Sequence, residues 1–127
     1  EDARQTRDFV HIDDVIRAHM KLLKDKRANY GIFNIGSGRK DTPWKLARLV
    51  SRAAGVPFNS ALKRAYRVGT PRDSLMNIQK LRKLGWKPRK TLEDNARDYV
   101  EWMKKYPEAI QYLHKTYADM RKAKIVR

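Results

Sequence analysis

The sequence contains no cysteine. Disulfides, thiolate metal ligands and a cysteine nucleophile are thereby excluded. No apolar run approaches the ~20 residues that a membrane-spanning helix needs. The first residues, Glu1-Asp2-Ala3-Arg4, lack the pattern of a secretory leader. These absences point to a soluble cytoplasmic protein with no membrane partner. Acidic residues are also scarce: 14 Asp and Glu stand against 30 Lys and Arg, for a net charge of +16. The shortage is local. Between Gly31 and Lys90 there are 15 basic and 2 acidic residues, whereas both flanks are nearly balanced. Such a field implies an anionic partner, either small-molecule phosphates, nucleic acid or an acidic protein surface; a merely solvated basic surface is the plainer reading. Only 6 glycines occur, and none completes a dinucleotide fingerprint or a Gly-Lys-Ser/Thr loop. His11, His19 and His114 show no metal-ligand spacing and read as structural or surface residues. The acids are too scattered to form a catalytic pair. The residues therefore nominate no catalytic group, no metal site and no cofactor held by this chain.

What is present fits one modest α/β domain of 127 residues, 41% hydrophobic and 35% charged. Thr6 to Ile12 and Asn29 to Ile35 read as short strands, with a further strand around Ala61 to Ala65. Asp13 or Asp14 caps a first helix through Lys24, placing Val15, Ile16, His19 or Met20, and Leu23 on one face. Thr42 and Pro43 open a second helix, which Gly55 closes. Asp73 to Met76 starts a short element, and Asn77 caps a short helix ending at Gly85. Thr91 caps a helix to about Lys104, with Asp94 completing a capping box. Pro107 opens a last amphipathic helix, with Ile110, Leu113, Tyr117 and Met120 on one face. That face needs a partner, either this domain or a second copy of the chain. The expected fold is thus α/β, a small partial sheet with open edges and a helical C-terminal half.

Few residues could carry binding chemistry. Gly36-Ser37-Gly38, between a strand and a helix, reads as a tight turn, or more weakly as a phosphate cradle. Arg7, Arg67 and Arg72 lie at element edges, and Arg is the side chain best suited to bidentate phosphate contact. Asp8 is a ready counter-ion for Arg7. Trp44, Trp86 and Trp102 are placed as packing anchors rather than as a base-stacking platform.

Three blocks then narrow the reading. Gln5-Thr6-Arg7-Asp8-Phe9-Val10-His11-Ile12-Asp13-Asp14 comes first. Phe33-Asn34-Ile35-Gly36-Ser37-Gly38 follows, and then Gly69-Thr70-Pro71-Arg72 with Leu84-Gly85-Trp86-Lys87-Pro88 and Thr91-Leu92-Glu93. In order and spacing they resemble the C-terminal substrate-binding region of the NAD(P)-dependent nucleotide-sugar epimerase/dehydratase family, the extended short-chain dehydrogenases. The resemblance covers about Gln5 to Met103. The Gly-Thr-Pro-Arg tail is similar to the GDP-fucose-synthase branch. The resemblance implies that Arg7 contacts the diphosphate of a nucleoside diphosphate sugar, together with a second arginine near the later turn, for which Arg67 and Arg72 are the candidates. Thr70 stands where many members carry a ribose-holding Asp. It also implies an N-terminal Rossmann domain with bound NAD(P) and a Tyr-x-x-x-Lys pair. Neither a cofactor fingerprint nor that pair occurs here.

Two readings follow. In the first, residues 1–106 form the substrate-binding region of such an enzyme, not catalytically complete alone and completed by a separate Rossmann half, and 107–127 add an amphipathic helix. In the second, the chain is a recruited basic module for nucleic acid or a larger assembly. Clustering of Arg39, Lys40, Lys63, Arg64, Lys87, Arg89 and Lys90 on one face favours the second.

Overall fold

Helix α1 (Ile12–Lys24) begins not at an aspartate but at His11, whose imidazole accepts the Asp13 N–H. A computed structural model describes residues 2–59 and 66–126, apart from the side chains of Ile110, Leu113 and His114. Both expected caps of α1 lie in its first turn, where they favour the positive end of the helix dipole. Asp14 is unavailable as a cap because its carboxylate accepts the N–H groups of Arg89 and Lys90. Asp14 and Ala18 are buried. Ile12, Ile16, Met20 and Leu23 repeat at three and four residues on the outer face and are exposed. The apolar stripe read from the sequence therefore lies on the open side of the helix.

Helix α2 (Pro43–Ala54) starts where Thr42 accepts the Lys45 N–H and ends at Gly55, as its local signals dictate. Helix α3 (Gln79–Lys83) is a single turn, and Asn77 Oδ1 accepts the Gln79 N–H beside its start. Helix α4 (Leu92–Lys104) carries the full Thr91–Asp94 capping box. It packs against α2 and buries Leu92, Ala96 and Val100 at four-residue spacing. Helix α5 (Ala109–Lys122) follows Pro107 without a side-chain cap. Its Tyr117 is exposed. After it the chain returns, and Ile125 accepts the Val68 N–H at 3.0 Å.

The core joins Ala18 of α1 to Ala28, Ile78, Leu81, Leu84 and Trp86, with Leu22, Phe33 and Ile35 against it. Of the three tryptophans, Trp86 is the buried anchor. Trp44 meets Phe58 edge-on at 4.9 Å. Trp102 is half exposed, between Tyr99 and Tyr106.

The partial sheet is not realised among the described residues. Residues 6–11 and 31–35 lie outside the helices, whereas Ile12 already belongs to α1 and Asn29 and Tyr30 form a turn, with Tyr30 at φ +59°. Phe33 and Ile35 alternate inward with an exposed Ile32. A strand, however, needs a neighbour along its length. Here pairing is limited to single bridges: Thr6 with Asp73, Arg7 with Asp41 and Arg67 with Val126. The strand expected over Ala61–Ala65, with Lys63 and Arg64, lies outside the described residues.

The α4 cap predicts an acid response. The Thr91 backbone N–H, the Thr91 hydroxyl and the Arg97 guanidinium all donate to the Asp94 carboxylate, which they hold well below the usual carboxylate range. Its folded pKa is depressed, so the stabilisation is complete above the ordinary value of 3.8 and is lost as pH falls through the folded value. Carboxyl carbon shifts followed against pH should place the Asp94 midpoint below that of an unpaired Asp, with first-turn amides of α4 losing exchange protection only at the acid end. A midpoint at the ordinary value would refute the cap as described.

Candidate functional site

The extended segment 6–10 threads between two loops and is tied to both. Thr6 donates its N–H to the Arg72 carbonyl (3.2 Å) and its hydroxyl to Asp73 (2.6 Å), and its own carbonyl accepts the Ser74 N–H (3.1 Å). Arg7 and Asp41 exchange backbone hydrogen bonds of 2.9 and 3.0 Å. The Arg7 side chain lies across the later loop, its Nη1 donating to the carbonyls of Thr6 and Arg72 at 2.8 Å each. One end of the guanidinium is thereby anchored and the fork given a fixed direction.

Arg72 is exposed and gripped by Asp2 through contacts of 2.8 and 3.3 Å. That guanidinium brings the Asp2 carboxyl down to about 2, and Asp2 in turn raises Arg72. The structure thus sets the Arg7 side chain against the backbone of the loop that carries Arg72, whose own guanidinium turns to Asp2. Arg67 is exposed and bridges Val126 through its backbone. Among the described residues, no hydrogen bond or ion pair joins its side chain to Arg7 or Arg72.

Asp8 is not the counter-ion of Arg7. Its carboxylate accepts the N–H groups of Ser37 (2.5 Å), Gly38 (3.0 Å) and Met76 (3.2 Å). Three backbone amides need an acceptor, and the chain supplies its own carboxylate. Gly36-Ser37-Gly38 is therefore a tight turn clamped from within. It does not fit a dinucleotide phosphate, because the donors that would cradle one are committed. The missed signal was the turn's own unsatisfied N–H groups, which call for a nearby acceptor.

Glycine is required at this clamp. A Cβ at Gly36 would meet Met76 Cβ at 2.6 Å and Asp8 Oδ2 at 2.7 Å. Gly38 has φ of +67°. Gly36→Ala should lower stability by about 1–3 kcal/mol, since such overpacking must shift the backbone. Chemical denaturation measures this, and an unchanged midpoint would show that the three segments do not meet closely.

His11 is structural and His19 exposed, and the His114 side chain lies outside those described. His11 is buried; since its Nδ1 accepts the Asp13 N–H, Nε2 carries the proton and donates to Asp98 at 3.1 Å. Burial works against the Asp98 carboxylate, but His11, Arg97 and Lys90 hold its pKa below the ordinary value. His11, Asp13 and Asp98 converge closely enough to ligate a cation. The Lys90 ammonium already lies 3.3 Å from Asp13 and 3.6 Å from Asp98, so the cluster is neutralised from within. His19 is exposed and contacts the Val15 carbonyl.

Comparison with known proteins gives the class. The model of the NAD dependent epimerase/dehydratase family matches residues 1–36, and similarity to characterised members and solved structures extends over about four fifths of the chain. The chain thus matches a segment of nucleotide-sugar epimerases and dehydratases of that family. Its relatives include dTDP-L-rhamnose 4-epimerase of Burkholderia thailandensis, 34% identical over 81% of this chain and 28% of that protein. GDP-L-fucose synthase 1 of Arabidopsis thaliana is 36% identical over 76% of this chain and 29% of that protein. Among solved structures, UDP-glucose 4-epimerase of Thermotoga maritima, with UDP-glucose, superposes with a TM-score of 0.73 at 31% identity, covering 83% of this chain and 33% of that one. The chain thus spans about three tenths of the length of these curated relatives.

Proposed function

We propose that this chain is the part of a nucleotide-sugar epimerase, dehydratase or reductase that holds the nucleoside diphosphate of the substrate. The carrying observation is the Arg7 guanidinium anchored on the Arg72 carbonyl, which holds the Arg7 side chain against the loop that carries Arg72. Arg7 and Arg72 are the phosphate ligands, and Arg67 joins them when substrate is bound. A diphosphate is a good match for convergent guanidinium groups, through charge-assisted hydrogen bonds. NAD(P) and the acid/base chemistry belong to the rest of the complete enzyme, which is cytoplasmic. Among the described residues, no helix is long and apolar enough to cross a membrane.

The open face of α1 supports the same reading. Ile12 is 63% and Leu23 81% exposed, and beyond the helix Tyr30 and Ile32 are exposed as well. Burying such area is worth about 25 cal/mol per Å², so a Rossmann half or a second copy is expected to cover it. Residues 107–127 are an addition to the substrate-binding region 1–106.

The second reading, a basic module for nucleic acid, draws on one observation. Arg39 reaches the Lys90 carbonyl (3.0 Å) and shares a concavity with Lys87. Titration calorimetry with UDP-, GDP- and dTDP-sugars, against a short duplex, separates the two. The first reading predicts saturable binding of one sugar nucleotide, weakened about tenfold or more in Arg7→Ala, since a charge-assisted hydrogen bond is worth roughly 1.5–3 kcal/mol. Asp2→Asn should tighten that binding by up to about fivefold, because it releases Arg72 from an exposed ion pair. Binding of the duplex alone, falling steeply with salt, would favour the second reading.

A further inference from the structure

Ser37, Arg39, Arg82, Trp86 and Lys87 are among the residues lining a solvent-open concavity of about 680 Å³. None of the proposed nucleotide ligands contributes to it. No carboxylate is among its lining residues. Arg39 gives one guanidinium N–H to the Lys90 carbonyl. Among the described residues, the side chains of Arg82 and Lys87 have neither an ion pair nor a hydrogen bond. Three cations thus converge without a counter-charge, in a chain whose other exposed cations are often paired with nearby aspartates.

A second observation is independent of the charges. Trp86 is 4% exposed, and its indole Nε1 is buried with no hydrogen-bond partner. A buried donor left unpaired costs about 1–3 kcal/mol and is uncommon. An oxyanion seated among the cations supplies the missing counter-charge, and Trp86, which lines the concavity with its indole Nε1 closed to solvent, is placed to report on it. Phosphate suits the site better than carboxylate, because it brings up to two charges and more acceptor oxygens to three cationic side chains.

We propose that this concavity is a phosphate-binding site, distinct from the Arg7–Arg72 loop and independent of the function proposed above. Its open shape admits a phosphate on a small ligand or one in a nucleic-acid backbone. The test follows the Trp86 indole N–H resonance of the full chain, assigned against Trp44→Phe and Trp102→Phe, with inorganic pyrophosphate in one arm and a short DNA duplex in the other. A saturable Trp86 shift with pyrophosphate assigns the site to free phosphates, and a shift with the duplex alone assigns it to a polymer. Either response should weaken about tenfold or more in an Arg82→Gln/Lys87→Gln double variant. It should persist in Lys105→Gln/Lys115→Gln, which removes the same charge elsewhere. A Trp86 resonance unmoved by both probes, or a response equal in the two double variants, overturns the inference. Pyrophosphate that moves only Arg7 and Arg72 also overturns it, while leaving the nucleotide reading intact.

Discussion

Asp14→Ala should cost the chain about 3–5 kcal/mol of folding stability, the scale expected when one partner of a buried charged network is removed. Asp14 is 1% exposed, and its two oxygens accept the backbone N–H groups of Arg89 and Lys90 at 2.9–3.1 Å. The Arg17 guanidinium also donates to it and continues to the Lys87 carbonyl. One carboxylate therefore fastens the 87–90 segment to α1. Alanine leaves two backbone donors and a guanidinium without their acceptor. A domain is typically stable by only ~5–15 kcal/mol, so the variant should unfold at much lower urea. Asp14→Asn keeps one acceptor oxygen but turns an amide N–H toward other donors, so its loss should be intermediate. A loss below about 1 kcal/mol for Asp14→Ala would mean that those N–H groups find other partners and that the clamp is not structural.

Leu81→Ala is the second large effect. Leu81 is fully enclosed, in one cluster with Ala18, Ile78, Leu84 and Trp86. Truncation removes the transfer free energy of three carbons and leaves a cavity, which together cost about 2–5 kcal/mol. The single turn of α3 cannot collapse freely onto the gap, because Trp86 is tied back by its backbone N–H to the Leu81 carbonyl. Leu75→Ala, at an exposed residue, should change stability by less than about 0.5 kcal/mol. Equal losses for the two variants would contradict the core as described.

The parts legible in the sequence are those whose causes are local. Thr42 with Pro43, Gly55, and Thr91 with Asp94 place helix ends through side chains a few residues away, and the structure places them there. The start of α1 was not legible. Two aspartates offered themselves as caps, but one is drawn to a segment 75 residues distant and His11 takes the role. The strands failed for the same reason. Alternation at Phe33 and Ile35 reads correctly as one buried and one open face, but a ladder depends on a neighbour that alternation does not specify. In the candidate site, motif order nominates the arginines. The anchoring of Arg7 on Arg72 and the Asp8 clamp on the glycine turn were not legible, because each joins residues about 30 or more positions apart.

The most direct test of the nucleotide reading is the guanidinium Nε–Hε resonances of Arg7 and Arg72, followed as UDP-, GDP- and dTDP-sugars are added in turn. The reading predicts that one of the three moves both resonances saturably and with a shared midpoint, thereby also naming the base. If none moves either resonance, while a duplex binds and shifts residues 79–90, the chain does not hold a nucleoside diphosphate at this loop and the basic-module reading takes its place.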